Sequence, residues 1–116
     1  MAVKRIARRA FPTPEEEALI KDLVAEMRRP EGQPQAPDAP KIIAEEGELG
    51  NYVHYYVVWE RFDKVADDIR SRIVTQAVRE ACPEDLPRLV TSLGLTFPEA
   101  IAMGTPGYES DLAGNR

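Results

Sequence analysis

The side chains that do chemistry are scarce in this sequence. It holds one histidine, His54, and one cysteine, Cys82. A zinc site usually takes four nitrogen or sulfur ligands, which a single His and a single Cys cannot supply, so no metal site is expected. Cys82 closes the helical pattern "IRSRIVTQAVREAC". It therefore stands at a helix C-terminus, where the dipole opposes a thiolate, and reads as an inert, buried thiol. His54 shares the alternate positions of "NYVHYYVVWERF" with Tyr56 and Glu60. Along an extended strand Glu60 lies roughly 20 Å from His54, too far to orient it as a base. No serine, cysteine or lysine is placed to complete a catalytic set. The acid pairs Glu45–Glu46 and Asp67–Asp68 read as solubility and helix-start charges. No phosphate-cradling glycine motif is present. The residues name no catalytic group and no cofactor, and the expectation is a protein that is not an enzyme.

Two features remain that could bind. Tyr52, His54 and Tyr56 fall on one side of a strand, and tyrosine is enriched at protein interfaces. Lys4, Arg5, Arg8 and Arg9 make a basic arm of the first ten residues. The chain's net charge is −5 and these four residues contribute +4, so the remainder carries −9. Such a body repels phosphate backbones, and only the arm attracts them. Exposed aromatics on a sheet can also stack bases. "GELG" has the spacing of a KH-type clamp, but it sits in a turn and carries an acid where a base would suit phosphate.

The elements that must position these residues are legible from spacing. In "TPEEEALIKDLVAEMRRP", Thr13 and Glu16 form a capping box around Pro14, and Leu19, Ile20, Leu23, Val24 and Met27 form one apolar stripe. Pro30, Pro34, Pro37 and Pro40 make 30–40 an extended, polyproline-like spacer. "KIIAEE" and the tyrosine stretch read as a hairpin joined by a turn at "GELGN". Alternation puts Val53, Tyr55, Val57 and Trp59 on the core face of the second strand. A second helix begins with Asp67 as N-cap and ends at Pro83. Residues 89–95 fit both a strand and a short helix capped by Gly94, and the strand is preferred because a lone hairpin is a poor sheet. Thr96 and Glu99 make another capping box, for a last short helix closed by Gly104.

The segments "VVWERFDKV", "IRSRIV" and "LVTSLGLTFPEA" carry a family resemblance. Glu60, Phe62, Arg70, Arg72, Ile73 and Val74 resemble the BolA pattern of a strand ending in an acid and a phenylalanine, followed by a helix bearing basic and then apolar residues. The likeness spans about residues 52–100 and implies a fold related to the class II KH domain. Members of that family commonly share an iron–sulfur cluster with a monothiol glutaredoxin, through a histidine leading into the third strand and a Cys or His in the hairpin loop. Here Arg88 stands near the first place, the loop holds no Cys or His, and Ser71 stands where the family's helix carries its histidine.

The fold expected is α+β, a small three-stranded sheet with helices packed on it in the order α-β-β-α-β-α. Residues 1–11 read as a basic disordered arm, 12–29 as the N-terminal helix, 30–40 as the linker, 41–104 as the α+β domain and 105–116 as a disordered tail. The first helix has two candidate seats, the tyrosine face or a neighbouring molecule. The function expected is binding of a protein partner or of a second copy through Tyr52, His54 and Tyr56, with nucleic acid held by Lys4, Arg5, Arg8 and Arg9 as the alternative. No apolar run approaches a membrane span, and the lone cysteine fits a reducing cytoplasm.

Overall fold

Thr13 starts the first regular element. Its hydroxyl accepts from the Glu16 N–H while the Glu16 carboxylate accepts from the Thr13 N–H, so two otherwise orphaned donors are satisfied together. The structure is a computed structural model that describes residues 2–6 and 10–108. Helix α1 spans Pro14–Met27 and strands β1 and β2 span Lys41–Glu46 and Val53–Val58. A 3-10 turn, Glu60–Phe62, leads to α2, Asp67–Ala81. A second 3-10 segment, Pro83–Arg88, precedes β3, Leu89–Leu95, and α3, Phe97–Met103. The molecule is α+β, with the predicted order of helices and strands. None of the described helices is long and apolar enough to cross a membrane.

The sheet runs β1-β2-β3, with β1 antiparallel and β3 parallel to β2. Residues 89–95 are thus a strand. Their alternation fits either element, and pairing with β2 supplies the backbone partners that an isolated segment lacks. Val53, Tyr55, Val57 and Trp59 point into one core with Leu19, Leu23 and Val24 of α1 and Ile73, Val74 and Val78 of α2. Leu23, Phe62 and Ile73 are fully buried, each stabilising the fold by roughly 1.5–3 kcal/mol through apolar burial. Helix α1 therefore lies on the face opposite Tyr52, His54 and Tyr56. Its stripe matches the more apolar side of β2, whose single hydroxyl, on Tyr55, is bonded to Asp85, whereas the other side would bury two hydroxyls and an imidazole.

Three local expectations are corrected. The N-cap of α2 is Ala66, and Asp67 is the first helical residue. The boundary is set by the Arg70 N–H donating to the Ala66 carbonyl, just after Lys64 turns the chain with φ 67°. Residues 30–40 do not form an extended spacer: they contain two hydrogen-bonded turns, Gln33 N to Pro30 O and Ala39 N to Ala36 O. Gln35 ties the segment down, donating to Glu26 at 2.8 Å and to the Pro40 carbonyl at 3.1 Å. At the ends, Phe11 packs on the core beneath the Arg72 guanidinium, 4.1 Å from its ring centre. Residues 105–108, read with the tail, hold a buried Thr105 and pack Tyr108 on the second apolar cluster. Residues 109–116 lie outside the described residues.

Among the described residues Arg70 is the charged residue that the core encloses, only 5% exposed. Its guanidinium donates to the carbonyls of Val65 and Gly94 and to Glu99. These bonds tie the start of α2 to the end of β3 and the first turn of α3. Gly94 permits the arrangement, since a Cβ there would come within 2.8 Å of both Arg70 Cβ and the Phe62 ring.

Candidate functional site

Two-residue alternation sends the side chains of β2 to opposite faces, and the face away from α1 and α2 carries His54 and Tyr56, with Tyr52 just before the strand. The three rings form a row. Tyr52 and His54 meet edge-on with centroids 5.2 Å apart, and His54 and Tyr56 are 6.4 Å apart. Tyr52 is exposed, and the other two are half-buried.

Each ring is seated by a specific neighbour. The Tyr52 ring lies on Gly47, where a Cβ would fall 2.5 Å from it, and the Tyr52 carbonyl accepts from the Gly47 N–H at 3.0 Å. His54 Nδ1 lies 2.6 Å from Thr91 Oγ1 on β3, the ring tautomer deciding which atom donates. The Tyr56 hydroxyl donates to Glu45 Oε1 at 3.2 Å. Burial, and then this bond to Glu45, raise the Tyr56 phenol above its ordinary range. Glu45 and Thr91 are the residues that sequence reading missed. Both are strand partners of His54. The hairpin register alone would have pointed to Glu45, whereas Thr91 required the parallel pairing.

At the far end the same face closes over. Val58, Leu93 and Leu95 pack against Ala100 of α3 and against Tyr108. Tyr108 stands edge-on to Phe97 at 5.7 Å. Beside it lies a mostly apolar groove of about 430 Å³, whose walls include Pro37, Trp59, Phe97 and Tyr108.

A second polar cluster sits on the opposite face. The Tyr55 hydroxyl donates to Asp85 at 2.6 Å, and Arg88 donates to the same carboxylate at 2.7 Å. Arg88 also donates to Glu46 and to the Gly50 carbonyl, pinning the loop between β1 and β2. Burial, then the bond to Asp85, push the Tyr55 phenol far above the tyrosine range. The Tyr55 bond, followed by Arg88, holds the Asp85 carboxyl below its ordinary range despite burial. Cys82 is half-buried beside this cluster at the C-cap of α2. The cluster is a brace, with both Asp85 oxygens engaged by Tyr55 and Arg88.

Lys4 and Arg5 are exposed in a stretch without helix or strand. Arg8 and Arg9 lie outside the described residues. Among the described residues no group of three His, Cys, Asp or Glu side chains is placed to hold a metal ion. A comparison with protein-family models, curated proteins and solved structures finds no match to this chain.

Proposed function

We propose that this chain is a small non-enzymatic binding protein that works through protein–protein contacts, with Tyr52, His54 and Tyr56 as the contact row. The observation that carries this reading is the placement of three adjoining rings on the sheet face that α1 and α2 leave uncovered. Tyrosine offers a large apolar area with a polar tip and few rotatable bonds, which suits a partner surface. Glu45 borders the row and places negative charge where a nucleic-acid phosphate would run, which favours a protein over a nucleic acid. The element order and mixed sheet support a BolA-like kinship in fold, and no metal chemistry is drawn from it. A cytoplasmic setting fits the lone cysteine.

The test compares tagged wild-type chain with the Tyr52→Ala/Tyr56→Ala variant as baits. The reading expects a defined protein that is retained by wild type, survives raised salt and is lost from the variant. Equal capture by both baits removes the row from the interface. Nucleic acid that elutes as salt rises and disappears with Lys4→Ala/Arg5→Ala transfers the function to the basic arm.

A further inference from the structure

Strand β1 is one outer strand of the sheet. The Gly47 N–H donates to the Tyr52 carbonyl, which fixes the alternation of the antiparallel ladder. Lys41, Ile43 and Glu45 therefore exchange their backbone hydrogen bonds with β2, and the N–H and C=O groups of Ile42, Ala44 and Glu46 point outward. No backbone bond beyond the ladder engages these three residues among the described residues. A groove of about 530 Å³ runs along the edge, bounded by Met27, Arg29 and Gln35 on one side and by Gly107 and Tyr108 on the other.

Edge strands are commonly blunted by charge, because an unpaired ladder invites another strand. Here the order of the charges does the opposite for one partner. The strand reads K-I-I-A-E-E. When two copies run antiparallel about Ile43, the outward groups of Ile42 in one copy meet those of Ala44 in the other, giving four backbone hydrogen bonds. The same register sets Lys41 directly across from Glu45, twice, by symmetry. It also faces Ile43 with its own twin at the close, non-hydrogen-bonded spacing. Shifting the register by two, so that Ala44 faces Ala44, loses both charge pairs and sets Glu45 against Ile43. A parallel arrangement stacks like charges and does not close.

We infer that β1 is a self-recognition edge, through which two copies join antiparallel about Ile43 into one six-stranded sheet. The occupant is a second copy because the strand's own charges complement themselves in that register and lose both pairs when it shifts by two. The contact is isologous and closes at two. It also joins the two outer faces, so that both Tyr52–His54–Tyr56 rows lie on one continuous surface. The inference stands apart from the reading of that row, because dimer formation is measured without any partner.

Sedimentation equilibrium of the full chain over a wide concentration range tests it. Wild type should show a monomer–dimer equilibrium. Lys41→Glu and Glu45→Lys should each weaken it by roughly thirty-fold, since two symmetric pairs turn from attraction to repulsion. A 1:1 mixture of the two single variants should recover the dimer. In the mixed pair the two acids at positions 41 and 45 of the Lys41→Glu copy face the two lysines of the Glu45→Lys copy, so both contacts are again attractive. Ala44→Pro should abolish the dimer while leaving the circular dichroism unchanged, since the lost N–H points away from β2. A wild-type chain that stays monomeric throughout overturns the inference. A dimer indifferent to Ala44→Pro, or a mixture no tighter than its components, overturns it as well.

Discussion

The guanidinium of Arg70 and the carboxylate of Glu99 meet at 2.6 Å across the junction of α2 and α3. The same Glu99 oxygen accepts from the Thr96 N–H at 2.7 Å, so one atom caps α3 and neutralises a charge that the core encloses. The Thr96 bond first, and Arg70 second, lower the Glu99 pKa from 4.5 to about 2. A carboxyl with a depressed folded pKa contributes stability that is complete above its ordinary value and fades as pH falls. The window for Glu99 is thus from about 4.5 down to about 2. Glu99→Gln should cost about 1 kcal/mol at pH 7, modest because the carboxylate is nearly half exposed and screened. Urea titrations at pH 7 and pH 3 check this: the gap between wild type and variant should narrow at the lower pH.

Gly94→Ala tests whether β3 needs its close approach to Phe62 and Arg70. Both neighbours stand 2.8 Å from the new Cβ, and Phe62 is fully buried and cannot retreat. The expected loss is about 1–3 kcal/mol, from overpacking. Thermal unfolding should show a Tm lower by roughly 5 °C or more.

Gly47→Ala has the opposite profile. The atoms nearest its new methyl group all belong to the Tyr52 ring, which is exposed and free to swing aside. The fold should lose less than about 1 kcal/mol, while Tyr52 leaves its place beside His54. Loss of the ring-to-ring cross-peaks between Tyr52 and His54 by NMR, with an unchanged Tm, is the expected result. A large drop in Tm would show that the turn itself requires the glycine.

Tyr55→Phe removes one bond to Asp85 and leaves Arg88 in place. A hydrogen bond to a charged group contributes about 1.5–3 kcal/mol, and the variant should be destabilised within that range. The Asp85 pKa should rise toward its ordinary value of 3.8, since Tyr55 is the largest cause of its depression. Stability that Asp85 contributes above that value, and loses as pH falls through its folded pKa, should correspondingly shrink. Side-chain carboxyl shifts followed by NMR titration read this directly.

Local chemistry was enough to place most elements. The Thr13–Glu16 and Thr96–Glu99 boxes mark two helix starts, because capping is satisfied within three residues of the chain. The alternation of Val53, Tyr55, Val57 and Trp59 marks the buried side of β2, because a pleated strand has a fixed two-residue period. These signals need no partner. Everything that depends on a distant partner was out of reach. Leu89–Leu95 became a strand by pairing with β2, some thirty residues earlier in the chain. Nothing in the spacing of the second helix marks Arg70 for burial, and the core encloses it where Val65, Gly94 and Glu99 converge on it. The neighbours of His54 show the same division. Its row with Tyr52 and Tyr56 follows from strand periodicity, while Thr91 reaches it only through the parallel ladder. The seat of α1 was open in the sequence because either face of the sheet could receive an apolar stripe. Tertiary packing assigned it to the side of Val53, Tyr55, Val57 and Trp59, where the one hydroxyl, that of Tyr55, is taken up by Asp85, and so left Tyr52, His54 and Tyr56 on the other face.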